Sequence, residues 1–217
     1  PGADEGWVKL YLNGQVLVAL LHQRKKINFH ASSFVFNGRG VMILGETGAG
    51  KTSLTLAFAS AGAAFMSDDL TPVIFSEDVP HIWSLDRKIK LTADSIDQLN
   101  ISQASLTDAE TGTGKKYLIL DKGDEEHHNL DIILKIETGA VDGPVFTEPT
   151  IAEKFALLRS EICSWEILAG MPETEAAYLQ QLVKIIDSVR FTKVTRPAEI
   201  RIPDMYVSIR EYLEGLA

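Results

Sequence analysis

Three groups of residues in this 217-residue chain have the types and spacing to do chemistry. The first is Gly45-Glu46-Thr47-Gly48-Ala49-Gly50-Lys51-Thr52, which fits G-x-x-x-x-G-K-[ST] at every fixed position. Its glycines let the backbone turn N–H groups inward, where they can hold phosphate oxygens. Lys51 would reach the terminal phosphates, and the Thr52 hydroxyl would face a phosphate-bound magnesium ion. Gly45 to Thr52 with the adjoining Ser53 therefore form a candidate site for a nucleoside triphosphate. The second group is Asp68-Asp69, 17 residues after Lys51. Phosphoryl transfer needs a carboxylate near the magnesium and often another to take the proton from the attacking hydroxyl. Asp-Asp alone is a common solvated turn; beside a phosphate-binding loop it becomes a candidate pair. The third is His30, 21 residues before Lys51, on a stretch where a lone histidine is usually structural.

Those residues need elements to carry them. Val41 to Leu44 is an apolar run of strand length that breaks at Gly45. Leu54, Ala57, Phe58 and Ala61 recur at i, i+3, i+4, i+7, which predicts a helix after the loop, with Gly62 as its C-terminal cap. Its N-terminus would then point at the bound anion. Residues 63–66 are a short strand ending in Ser67-Asp68-Asp69, and alternating strand directions would return that end to the loop.

Upstream, residues 7–21 read as a β-hairpin turning at Asn13-Gly14. A basic patch, Arg24 to Lys26, follows. Residues 27–36 read as one or two strands, closed by the hairpin-grade turn Asn37-Gly38-Arg39-Gly40. Downstream, strands are expected at 71–75, 79–91, 115–121 and 130–137, and helices at 94–99, 149–160, 173–190 and 205–216. A Ser/Thr/Gly-rich stretch at 102–114 reads as a mobile loop. The whole is one α/β domain, residues 1–217: a β-rich part over 1–40, a nucleotide-binding core over 41–100, and C-terminal strands and helices over 101–217.

A net charge of −9 argues against general nucleic-acid or anionic-membrane binding. One cysteine, Cys163, excludes an internal disulfide, fits a reducing cytoplasm and reads as a small buried hydrophobe. No run approaches the roughly 18 apolar residues of a membrane span. The chain opens at Pro1 without methionine, which is compatible with an upstream domain. Lys88 and Lys90 share one face of a strand and could clamp phosphate or an acidic substrate, or simply be solvated. Glu125-Glu126-His127-His128 carries metal-ligand types, but adjacent residues on a polar turn rarely point together.

His30 in NFHASS, a hairpin, GETGAGKT, a capped helix and AFMSDDLTPV together resemble the catalytic domain of HPr kinase/phosphorylase and its shorter relatives, including kinase homologues of modified-peptide gene clusters. The resemblance is specific over about residues 25–92. It implies a mixed sheet related in fold to phosphoenolpyruvate carboxykinase, and ATP with Mg2+ as cofactors. By the same resemblance Lys51 and Thr52 bind phosphates and metal, Asp68 is the catalytic base, Asp69 helps hold the metal, and His30 lies at the active centre. The implied acceptor is a serine of a protein or peptide, and relatives of this kind often form homo-oligomers. The family's second signature, with an arginine tied to phosphorylase activity, is absent from the expected pattern, and Ser53 stands where an acidic residue is usual. The forward kinase reaction is therefore the expectation; its rivals are a small-molecule kinase of the same fold and a non-catalytic ATP-binding regulator.

Overall fold

The computed structural model describes residues 5–85, 87–109, 114–120 and 126–216. Its first element overturns a sequence expectation: residues 7–21 form no hairpin. Instead α1 (Glu5–Tyr11), a π-helical turn (Leu12–Val16) and α2 (Leu17–Gln23) follow one another. The period explains the difference. The buried residues of α2 are Val18, Leu21 and His22, an i, i+3, i+4 set, where a strand would bury alternate positions. Asn13-Gly14 is absorbed in the π turn. The antiparallel hairpin expected before the loop is therefore single, and the β-rich part begins at Asn28.

His22 anchors this helical segment. Its Nε2–H donates to the Cys163 carbonyl at 2.9 Å, and its Nδ1 lies 3.0 Å from the Tyr178 hydroxyl. Tyr178 in turn donates to the Lys26 carbonyl at 2.6 Å. Burial holds the imidazole pKa below its ordinary value, against backbone carbonyls that favour the cation. The unfolded chain, with histidine near about 6.5, takes up the proton first. The stability at stake is thus whole above that value and is lost as pH falls from it toward the lowered folded value. The melting temperature is expected to drop between about pH 7 and pH 5, and His22→Gln should flatten that dependence. An unaltered slope in the variant would place the acid sensitivity elsewhere.

β1 (Asn28–Phe29) leads into β2 (Ala31–Phe36) and β3 (Arg39–Gly45). Asn37 and Gly38, at φ 51° and 72°, close the β2–β3 hairpin in the left-handed region that a primed turn requires. α3 (Lys51–Ser60) buries Leu54, Ala57 and Phe58 as the period predicts, and Gly62 follows it at φ 99°. β4 (Ala64–Ser67) comes next. β2 is antiparallel to both β3 and β4, so β3 and β4 run the same way and end at one rim. This brings Asp68-Asp69 back beside the glycine-rich loop.

β5 (Thr71–Ser76), β6 (Val79–Trp83), β7 (Lys88–Leu91) and α4 (Ala93–Gln98) follow. In its described part the 102–114 stretch is no mobile loop. It holds a 3-10 turn, Gln103–Ser105, and β8 (Leu106–Asp108), which pairs with β9 (Lys116–Ile119); residues 110–113 lie outside the described ones. β10 (His127–Thr138) is longer than the sequence predicts. Then come β11 (Val145–Thr147), α5 (Ile151–Ser160) and α6 (Pro172–Ser188). β12 (Arg190–Arg196) and α7 (Ile202–Gly215) complete the described chain. β11 and β12 were not expected.

The main sheet is mixed, in the order β1-β5-β6-β10-β3-β2-β4. β10 pairs antiparallel with β6 through His127–Asn129, and parallel with β3 and with β12 further along. Alternate residues of β3 and β10 divide the core. Val41, Ile43, Ile132 and Leu134 pack with Leu54 and Phe58 of α3 and Ile209 of α7. On the other face Met42, Leu44 and Ile133 pack with Leu158 of α5 and Tyr178 and Leu182 of α6. Leu56, Phe65, Ile89 and Leu118 form a satellite cluster that includes the small sheet β7-β9-β8. No helix among the described residues is long and apolar enough to cross a membrane.

Candidate functional site

At the end of β3 the backbone presses against β10. A Cβ on Gly45 would lie 2.7 Å from the Ile136 carbonyl oxygen and 2.9 Å from the Ala49 Cβ, so the position admits only glycine. Gly48 and Gly50 stand at φ 87° and 100°, where a side chain would be strained, and a Cβ on either would meet nothing within 4 Å. The loop thus turns tightly and leaves an open cradle at the N-terminus of α3, where unpaired amides and the helix dipole favour an anion. Lys51 opens α3 and is buried; its Nζ donates to the carbonyls of Gly45 at 2.6 Å and Glu46 at 3.4 Å. Burial lowers its pKa, and the carboxylates of Glu161, Asp69 and Asp68 pull it back up.

A chain of hydroxyls holds the carboxylate turn. Ser33 and Ser67 are 2.6 Å apart, Ser67 and Thr71 are 2.6 Å apart, and Thr71 donates to the Ala31 carbonyl at 3.0 Å. Asp69 sits at φ 68°, a conformation that Asp tolerates better than most residues. Asp68 Oδ1 accepts from Ser32 at 2.5 Å and from Thr52 at 2.8 Å, while Oδ2 accepts from the Lys90 amide at 3.3 Å. Burial pushes the Asp68 carboxyl above the ordinary range; the three donors oppose it and Asp69 adds to it. Asp69 is exposed, and its Oδ1 lies 3.4 Å from His30 Nδ1.

Most of the sequence-predicted residues converge: Glu46 to Ser53, Asp69 and His30 line one space, while Asp68 is not in its lining and is joined to it through the Thr52 hydroxyl. Two placements differ from the simplest expectation. Thr52 bonds Asp68, not Asp69. Ser53 turns toward α4, with its hydroxyl 2.7 Å from that of Ser95. Lys90 lines the same space, whereas Lys88 is exposed; both lie over the Tyr117 ring, at 5.7 and 5.9 Å. His127 and His128 are successive residues of β10 and so face opposite sides; Glu125 lies outside the described residues. Cys163 is partly buried, and burial pushes its thiol up to about 12.

Four further participants carry no motif. Ser32 holds Asp68. Arg196, at the end of β12, donates to the carbonyls of Ala49 and Gly48 at 3.1 and 3.3 Å and pins the loop. Lys135 and Glu161 form a buried ion pair, and the Glu161 carbonyl accepts the His30 N–H at 2.7 Å. Only Lys135 left a trace in sequence, as a lone cation in the apolar run Ile132–Ile136.

Two cavities meet at this centre. One, of about 600 Å3, is lined by the glycine-rich loop together with Lys90, Lys115, Arg196 and Arg201. The other, of about 670 Å3, lies beyond His30 and Asp69. The donor set fits a triphosphate with magnesium: an open amide cradle, a lysine, a hydroxyl and two carboxylates, all hard oxygen donors on the metal side. Among the described residues no group of three or more His, Cys, Asp or Glu could hold a metal alone.

No family model matches the chain, and no curated protein matches it. Among solved structures it is similar to the HPr(Ser) kinase/phosphatase from Coxiella burnetii, at 14% identity and a TM-score of 0.46, over 87% of this chain and 97% of that one. At that identity and score the likeness is distant.

Proposed function

We propose that this protein is an ATP-dependent phosphotransferase acting on a hydroxyl, with a serine of a protein or peptide as acceptor. The observation that carries this is the bond from Thr52, in the phosphate loop, to Asp68. A sensor that only binds nucleotide needs the loop; it does not need a carboxylate held on the loop hydroxyl with a second carboxylate and a histidine beside it. Loop amides and Lys51 would bind the phosphate oxygens and align them for in-line transfer. Thr52 and Asp69 would hold magnesium, which when bound neutralises charge on the transferring group. Asp68, whose raised pKa suits a base and whose Oδ2 has only one long bond, would take the proton from the acceptor hydroxyl. A new oxygen–phosphorus bond forms, the bond from the γ-phosphorus to its bridging oxygen breaks, and ADP leaves.

Two observations favour a second assignment of roles. Because Thr52 bonds Asp68, and because His30 with Asp69 borders both cavities, Asp68 would hold the metal side and the His30–Asp69 pair would take the proton.

The test of the nucleotide site is thermal. A ligand bound only by the folded state raises the melting temperature, so MgATP should stabilise the parent. Lys51→Ala should lose most of that shift without unfolding the free protein. An unchanged melting curve for the parent at millimolar MgATP would sink the proposal.

A further inference from the structure

Among the described residues the two cavities share His30 and Asp69 and no other lining residue. Donor and acceptor of a phosphoryl group must approach the reacting centre from opposite sides, and here one space holds the phosphate loop while the other is free of it. We propose that the second cavity is the acceptor site and takes an extended polypeptide segment, its target hydroxyl entering the reacting centre where the two cavities meet and its flanking side chains on the N-terminal helical segment. This rests on the phosphotransfer reading above.

The walls argue for a polypeptide. One wall is the π turn, through Asn13, Gly14 and Gln15, a local irregularity of the kind that recurs at functional sites. The lining also holds Arg159, 4.4 Å over the centre of the Trp165 ring, and Glu166. Glu161 to Cys163 line it too, stitched to the strand before His30 by the Cys163 N–H donating to the Asn28 carbonyl. Amide, aromatic and both signs of charge around one space suit a peptide backbone with mixed side chains. The cavity opens broadly to solvent. The helical segment that forms its rim exposes Trp7, Tyr11, Leu12 and Val16 by 60, 55, 53 and 43%. A chain of several residues that runs along this segment would cover that apolar surface.

Gly14 makes the test specific, because a Cβ there meets nothing within 4 Å, so a large side chain can be added at the cavity wall without disturbing the fold. The parent and Gly14→Trp would be assayed with labelled ATP on a serine-centred dodecapeptide library. The best peptide, dye-tagged, would then be titrated without nucleotide by fluorescence anisotropy. The expected result is a rise in both KM and nucleotide-free Kd for the peptide of at least about tenfold, with the MgATP melting shift retained. Parental KM and Kd in Gly14→Trp would overturn the proposal. So would a parent that binds MgATP but labels no peptide while labelling free serine, glycerol or sugars, and that result would leave the nucleotide site standing. If Leu12→Ser changes the oligomeric state and not the peptide Kd, the apolar face belongs to a second copy and the proposal falls. A parent that does not bind MgATP would overturn the phosphotransfer reading itself, and this proposal with it.

Discussion

Asp68→Asn is expected to slow phosphate transfer by about 10²–10⁴-fold, the usual cost of losing a general base, while MgATP binding stays close to the parent's. Asparagine keeps an oxygen for the Ser32 and Thr52 hydroxyls but cannot take a proton. The pH profile adds an independent mark. The base works as the carboxylate, and burial raises its pKa. Transfer should therefore rise with pH through a value above the ordinary aspartate range near about 3.9, and Asp68→Asn should lack that limb. Label transfer to serine peptides is the measurement, with slow ATP hydrolysis as the second readout. Asp69→Asn, by contrast, should weaken magnesium-dependent nucleotide binding more than metal-free binding. If Asp69→Asn abolishes transfer and Asp68→Asn instead loses the magnesium dependence, the two roles exchange, with His30 and Asp69 taking the proton.

Glu161→Gln should cost the fold more than any surface change. Lys135 and Glu161 have side chains only 9 and 10% exposed. Removing one partner leaves the other charge buried and unpaired, at a cost of about 3–5 kcal/mol. For a domain of this size that is a fall in melting temperature of roughly 6–20 °C. The double variant Lys135→Met/Glu161→Leu should recover most of the loss, since a buried pair exchanged for apolar side chains of similar volume is often neutral. Thermal and denaturant melts of the two variants decide it. A single variant as stable as the parent would mean that water reaches Lys135.

What the sequence made legible was local. The glycine-rich loop, the helix period from Leu54 to Phe58, the Asn37-Gly38 turn and the return of Asp68 all follow from neighbours a few residues apart. The segment 7–21 misled because Val and Leu in near-continuous runs fit either period, and Asn13-Gly14 is a strong turn signal. What decided it lies far away: His22 finds Tyr178 and Cys163, 156 and 141 residues on. The same distance hid Arg196, whose partner Ala49 is 147 positions earlier. Glu161 is 26 residues from Lys135, on a different layer, and nothing in either local pattern announces the pair. β12 escaped because the helix prediction ran on to residue 190, where the apolar face of α6 gives way to a strand that buries Phe191, Thr192 and Val194.

The three glycines of the loop are not equivalent under drift. Gly45 is imposed above all by the carbonyl of Ile136, a contact that belongs to the sheet, with the methyl of Ala49 in the loop adding to it. Gly48 and Gly50 are imposed only by the loop's own left-handed turns, with open space where a side chain would stand. A descendant released from holding a triphosphate could let the loop relax and lose the second and third glycines one at a time. It would keep the first for as long as it kept β10. A lone surviving glycine after the third strand would thus be a fossil of the architecture, while on the phosphotransfer reading the trio together would record selection for the anion. A folded relative with a bulky residue aligned to Gly45 and an intact β10 would contradict that ordering.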